Sequence, residues 1–247
     1  MIPMAISTFA RKEVKFLLNM EQYHALMETL QEYMQPDEYC VGGKEYGIYN
    51  IYYDTADDYL IRESLAKPYY KEKLRLRSYY SPASEDNIVF LEIKKKVGDI
   101  VTKRRVSMTL GESNEYFRTG KKPEIKTYIL GQVFNELDVF LDHYHVMPKH
   151  YISYRREAFF GKEDRDFRLT FDRKITERRY DLSLDKESYG GYIIGADQRL
   201  MELKVLNAVP GWLISEMSRL GIYNTSFSKY GKAYQGFIQS GLQSKAG

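Results

Sequence analysis

Lys71-Glu72-Lys73-Leu74-Arg75-Leu76-Arg77 is followed, after a turn, by Phe90-Leu91-Glu92-Ile93-Lys94-Lys95-Lys96. In both stretches ionic residues occupy every second position: Lys71, Lys73, Arg75 and Arg77, then Glu92, Lys94 and Lys96. A strand turns successive side chains to opposite faces, so Leu74 and Leu76 point one way and the cations the other. The same alternation returns at Arg11, Glu13 and Lys15 and again at Glu202 and Lys204. A sheet that gathers so many charges on one face is suited to a polyanion.

Around these stretches the pattern predicts further strands. Three at hairpin spacing, Tyr70 to Tyr79, Ile88 to Lys96 and Val101 to Leu110, are joined by residues with turn chemistry and make an antiparallel meander. Upstream come a strand at about Arg11 to Leu18, a helix capped by Asn19 with Gln22 three residues on, a strand at Tyr46 to Tyr53, and a short helical excursion at Asp57 to Glu63. Downstream, a helical insertion at about 113–146 precedes strands at Lys149 to Phe160, Asp166 to Asp172, Ile193 to Arg199 and Arg199 to Leu206. Pro210 then opens C-terminal helices over about 210–240. Residues 1–247 are expected to form one domain.

The formal net charge is only +3 although 29% of the residues are charged, so a strong positive field must come from local arrangement. That argues against a general nucleic-acid coat. The single cysteine, Cys40, excludes an intramolecular disulfide and a thiolate zinc cluster, and points to a reducing cytoplasm. No apolar stretch has the length of a membrane span, leaving a membrane partner as the remaining route to a bilayer. The histidines form no ligand set and are expected at the surface, Asp54, Asp57 and Asp58 are expected to act in turns and caps, and no Gly-x-x-x-x-Gly-Lys phosphate loop is present.

Strands with one charged and one apolar face can form a sandwich, charges outward. They can equally form a closed barrel whose apolar face packs outward under helices while charges line a wet interior. The flanking helices favour the second, an α+β fold with a closed antiparallel β-barrel. Cations facing one another in such an interior repel and lose hydration unless carboxylates or a bound anion offset them. A chain of phosphates is the natural counterion, matched by Arg forks and Lys point charges.

Five segments in order, Arg11-Lys12-Glu13-Val14-Lys15-Phe16, Arg75-Leu76-Arg77, Phe90-Leu91-Glu92-Ile93-Lys94, Met201-Glu202-Leu203-Lys204 and Phe227-Ser228-Lys229-Tyr230, resemble the VTC (vacuolar transporter chaperone) catalytic domain. That domain is the polyphosphate polymerase branch of the triphosphate tunnel metalloenzymes, to which the CYTH proteins also belong. The resemblance implies a triphosphate tunnel in which the γ-phosphoryl group of ATP passes to a growing inorganic polyphosphate chain, assisted by a divalent metal, Mn2+ or Mg2+. By the same resemblance Arg75, Arg77, Lys94, Arg156, Arg168 and Lys204 are the catalytic cations of the wall. Arg11, Lys15, Lys103, Arg105, Ser228 and Lys229 join them as phosphate-binding residues. Glu202 is the metal carboxylate, with Glu13 and Glu92 as further candidates.

Two positions depart from the family pattern. CYTH hydrolases open with Glu-x-Glu-x-Lys, where this chain has Arg11-x-Glu13-x-Lys15. A lost carboxylate and a gained cation favour the polymerase branch over a two-metal triphosphate or nucleoside triphosphate hydrolase. Ser226 stands where the VTC terminal motif carries a cation. The other alternative is a non-catalytic polyphosphate or inositol-phosphate binder, against which the retained Glu202 argues.

Overall fold

A computed structural model describes residues 12–98, 100–206 and 208–246, with side chains as far as residue 242. Arg11 lies outside the described residues. β1 (Lys12–Leu18) runs into α1 (Met20–Tyr33). The helix start is fixed by a reciprocal cap: Asn19 Oδ1 accepts from the Gln22 N–H at 2.8 Å and Gln22 Oε1 from the Asn19 N–H at 3.1 Å. β2 (Met34–Pro36), a 3-10 turn at Glu38–Gly43, β3 (Tyr46–Asp54) and α2 (Tyr59–Leu65) follow. As its position at the strand end suggested, Asp54 is a cap: its carboxylate accepts from the N–H groups of Leu60 and Ile61 at 2.8 and 2.9 Å.

The charged stretches become β4 (Tyr70–Ser78), β5 (Ile88–Val97) and β6 (Ile100–Thr109), an antiparallel meander. The insertion is two helices, α3 (Leu110–Thr119) and α4 (Tyr128–Tyr144). The chain ends with β7 (Met147–Gly161), β8 (Arg168–Arg178), β9 (Gly191–Tyr192), β10 (Arg199–Val205), α5 (Gly211–Arg219) and α6 (Lys229–Ala246).

Two expected strands differ in extent. The stretch from Ile193 to Arg199 is not a strand; only Gly191 and Tyr192 pair with β8, and a turn closed by Gln198 N–H to Gly195 O follows. β8 does not stop at Asp172 but passes a register shift against β7, where Lys174 adopts φ 48°, and continues to Arg178. One extra residue in a strand resets which side chains share a face, so simple alternation misses the second half.

The strands pair antiparallel in the order β1-β10-β8-β7-β3-β4-β5-β6, with β2 on β7 and β9 on β8. Among the described residues no ladder joins β1 to β6, so the sheet is not closed by hydrogen bonds. The architecture is α+β around one large curled sheet, and the expected closed β-barrel is met only to that extent. The free edge of β1 instead takes the segment before α6, with Asn224 bridged to Phe16 and the Thr225 N–H donating to Lys15 O at 2.7 Å, and Glu13 Oε2 on β1 lies 3.6 Å from Lys94 Nζ on β5.

Each apolar face is covered from outside. Leu74, Leu76, Leu91, Ile93 and Val106 pack with Tyr116 of α3 and Phe134, Leu137 and Phe140 of α4, all buried. Phe16, Leu169, Phe171, Met201 and Leu203 pack under Leu26 and Leu30 of α1 and Leu213 and Met217 of α5. With both outer faces occupied, the charged faces are left to the concave side. One end of that side is filled by a third cluster, in which Phe227, Tyr230 and Ala233 meet Ile48, Tyr52, Ile152 and Tyr154. His24, His143 and His145 are exposed, but His150 is fully buried, edge-on to Tyr230 at 5.3 Å. The surface position expected for it fails because the residues around the start of α6 cover the beginning of β7.

Candidate functional site

Register puts the cations of β4, β5 and β6 side by side on the concave face: Arg75 is opposite Glu92, and Glu92 opposite Arg105. Glu92, 2% exposed, is the hub of this end. Its Oε2 accepts from Arg75 Nε at 2.7 Å and lies 3.7 Å from Arg77 Nε, and its Oε1 is 2.5 Å from Lys103 Nζ. Burial raises the proton affinity of Glu92, yet the charges of Arg77, Arg75 and Lys103 outweigh it and hold the carboxyl well below the usual range. Arg77 Nε also donates to Asn50 Oδ1 at 3.0 Å, and Arg75 to Tyr52 Oη at 3.2 Å, which fixes both guanidinium planes.

A second centre lies across the trough. Lys15 of β1 faces Glu202 of β10 in register, and Glu13 faces Lys204. Lys15 Nζ is 3.1 Å from Glu13 Oε1 and 3.9 Å from Glu202 Oε2; Lys204 Nζ is 2.9 Å from Glu202 Oε1. Burial pushes the Glu202 carboxyl up, but Lys204, Lys15 and Lys229 hold it well below the usual range. Burial and the neighbouring Glu202 push Glu13 up, and Lys94, Lys15 and Lys204 bring it below. The mutual repulsion of Glu13 and Glu202 is answered mainly by the amines of Lys15, Lys94 and Lys204, with Lys229 and Arg156 also acting on Glu202.

Asp172 of β8 forms a third. Fully buried, it takes a fork from Arg156, with Nε to Oδ1 at 2.6 Å and Nη2 to Oδ2 at 2.8 Å, and lies 2.6 Å from Lys229 Nζ. Despite burial, Arg156 and Lys229 hold its carboxyl below the usual value. The segment before α6 is drawn into the trough by two further bonds, Lys15 Nζ to Phe227 O at 3.1 Å and Lys73 Nζ to Ser228 Oγ at 3.2 Å.

The structure thus brings together Arg75, Arg77, Lys94, Arg156, Lys204, Lys15, Lys103, Ser228 and Lys229. Arg168 lies opposite Lys204 in the β10–β8 register and so on the same face, but its polar partners are others: its Nη2 is 3.6 Å from Asp37 and 3.5 Å from Tyr46 Oη, and its Nε is buried without a hydrogen-bond partner among the described residues. Arg105 is exposed, stacked over Phe90 at 4.9 Å. Sequence reasoning gave no site role to Lys73, Asn50 or Asp172. Lys73 lay in the alternation itself and was recoverable; Asn50 and Asp172 carry no local signal. Nine cations, Lys15, Lys73, Arg75, Arg77, Lys94, Lys103, Arg156, Lys204 and Lys229, meet four carboxylates, Glu13, Glu92, Asp172 and Glu202. The trough therefore carries an excess of positive charge.

Of the three carboxylates considered for a divalent metal, Glu92 does not fit, being surrounded by Arg75, Arg77 and Lys103 and sharing no ion-pair partner with the other two among the described residues. No group of three or more His, Cys, Asp or Glu suited to a metal occurs among the described residues. Glu13 and Glu202 do fit a hard cation that takes one or two protein carboxylates and completes its shell with phosphate oxygens and water.

Residues 10–238 match the VTC domain family model. A comparison with curated protein sequences finds no match. Among solved structures, the chain is similar to one described as a "putative adenylate cyclase" from Bacillus halodurans, with a TM-score of 0.50 and 13% identity over 89% of this chain and 95% of that one. Another such protein from Vibrio parahaemolyticus (TM-score 0.45, 12% identity, 92% and 98% covered) and PH1819 from Pyrococcus horikoshii (0.45, 13%, 92% and 98%) resemble it more loosely. At these identities the likeness concerns the fold.

Proposed function

Because the chain belongs to the VTC-domain family, a branch of the triphosphate tunnel superfamily, we propose that it is a metal-dependent polyphosphate polymerase that transfers the γ-phosphoryl group of ATP to the end of an inorganic polyphosphate chain. The observation that carries this reading is the convergence of nine cations on four carboxylates along one concave face. A phosphate chain supplies the missing negative charge in a line, and the trough becomes a tunnel when it is filled.

In the transfer, an oxygen of the acceptor's terminal phosphate forms a bond to the γ-phosphorus as the bond from that phosphorus to the β,γ-bridging oxygen breaks, and ADP leaves with the bond's electrons. Little covalent chemistry falls to the protein, so positioning and charge neutralisation dominate. Arg75 and Arg77, held by Glu92, Asn50 and Tyr52, present fixed forks for equatorial oxygens. Arg156 and Lys229 are set by Asp172, and Lys15, Lys94 and Lys204 neutralise charge near Glu13 and Glu202. A divalent ion, Mn2+ or Mg2+, held by Glu202 and Glu13 would supply Lewis-acid stabilisation of phosphoryl oxygens there.

The test is incubation with ATP and Mn2+ while following ADP and long-chain phosphate together. Chain growth matched to ADP supports the polymerase. Free phosphate without chains would replace it by a hydrolase, and tight tripolyphosphate binding without turnover by a binding protein. Among the described residues no helix is long and apolar enough to cross a membrane.

A further inference from the structure

Eight of the nine trough cations have a carboxylate within ion-pair distance, and one does not. Lys73, facing inward from β4, has no ion pair among the described residues; its Nζ donates to Ser228 Oγ at 3.2 Å and stands 6.0 Å from the centre of the Tyr230 ring. The charges that act on it most are further cations, Lys71 and Arg75 on its own strand, Lys94 on β5 and Lys15 on β1. Ser228 Oγ is itself held by the Gly231 N–H at 3.1 Å, and Lys15 Nζ reaches the neighbouring Phe227 carbonyl at 3.1 Å. A half-buried ammonium among like charges, with a hydroxyl as its one polar partner among the described residues, is a costly arrangement unless an anion completes it.

We propose that Lys73, which the family pattern does not assign, adds a phosphate contact at the α6 end of the trough, beside Ser228 Oγ and Lys15, which it does. This contact rests on the tunnel reading and extends it, since it ties one phosphate of the chain to the segment that leads into α6. Burial, and then the charges of Lys94, Lys71, Lys15 and Arg75, push the Lys73 ammonium down to about 7. Without a ligand its charge is therefore partly lost at neutral pH. An entering phosphate favours the charged form, so binding above pH 7 draws a proton onto Nζ.

The full chain is titrated calorimetrically with inorganic tripolyphosphate at pH 8, in buffers of different ionisation enthalpy, as wild type, Lys73→Met, Lys73→Arg and Arg75→Ala. The wild type should bind with net proton uptake exceeding that of Lys73→Met and Lys73→Arg. Lys73→Met should lose about tenfold in affinity, the scale of one charge-assisted bond, yet gain stability without ligand, because an uncompensated cation is gone. Lys73→Arg should keep most of the affinity, having a charge that does not titrate there. If Lys73→Met binds as the wild type does and takes up the same protons while Arg75→Ala is weakened, the Lys73 contact is wrong and the tunnel reading survives. If the wild type itself fails to bind tripolyphosphate, the tunnel reading falls and the Lys73 contact with it.

Discussion

Glu92 and the Glu13–Glu202 pair stand in one trough and are both ringed by cations, yet they differ in kind. Glu92 is alone, 2% exposed, and takes Arg75 and Arg77, two guanidiniums with further fixed partners, plus Lys103. Glu13 and Glu202 repel each other and, among the described residues, form their ion pairs with the amines of Lys15, Lys94 and Lys204 at 2.9–3.9 Å. Planar forks on a single buried carboxylate make a rigid anchor that has no room for another cation. Two carboxylates held by flexible amines make a centre whose partners can be exchanged. The same residue types thus serve structure at one end and exchange at the other.

The largest effect should come from breaking the rigid end. Glu92→Gln leaves Arg75 and Arg77 buried without their counter-ion, and removing one partner of a buried pair costs about 3–5 kcal/mol. Denaturant unfolding should show that loss, and saturating tripolyphosphate should restore part of it by supplying the absent charge. A Glu92→Gln protein as stable as the wild type would mean that the carboxylate is not the anchor.

At the exchangeable end, Glu202→Gln should cost on the order of 100-fold in metal-dependent turnover, as expected when reacting groups lose their placement. Tripolyphosphate binding without metal should be kept. Turnover unchanged at every Mn2+ concentration would remove Glu202 from the metal role. Arg75→Ala lies between the two, since it removes one fork and frees Glu92. Anion affinity should fall about tenfold, more at low salt than at high because an exposed phosphate chain is screened.

The rigid end was the more legible in the sequence, and for a physical reason. Arg75, Arg77, Glu92 and Lys103 lie on three consecutive strands whose period-two pattern and tight turns dictate both the face and the neighbour. The other end needs β1 beside β10, which are separated by most of the chain. No local pattern encodes that contact, and five segments matching a known order supplied it instead. Asp172 was read only as a strand end because its meaning depends on Arg156 across a ladder and Lys229 on a distant segment. The bulge at Lys174 hid the rest of β8, and β1 and β5 approach through Glu13 and Lys94 with no ladder joining the sheet's ends among the described residues.

The smallest expected effect separates two lysines by pH. Burial, only partly offset by Glu92, pushes Lys103 down to about 8; burial with like charges alone pushes Lys73 down to about 7. Both titrate near 10.5 when unfolded. From pH 7 upward the unfolded chain therefore binds more of these protons than the folded one, and their net contribution to stability rises with pH. Anion affinity moves the opposite way, because each lost proton removes an attracting charge. Tripolyphosphate affinity should fall several-fold between about pH 7 and 9, with no fall in the denaturation midpoint attributable to these groups. Lys103, its side chain 41% exposed, should contribute the smaller part. In a pH series of binding titrations, Lys103→Met should leave a decline centred near 7 and Lys73→Met one centred near 8. A decline that neither substitution alters would place the titrating group elsewhere and leave the two centres indistinguishable by charge.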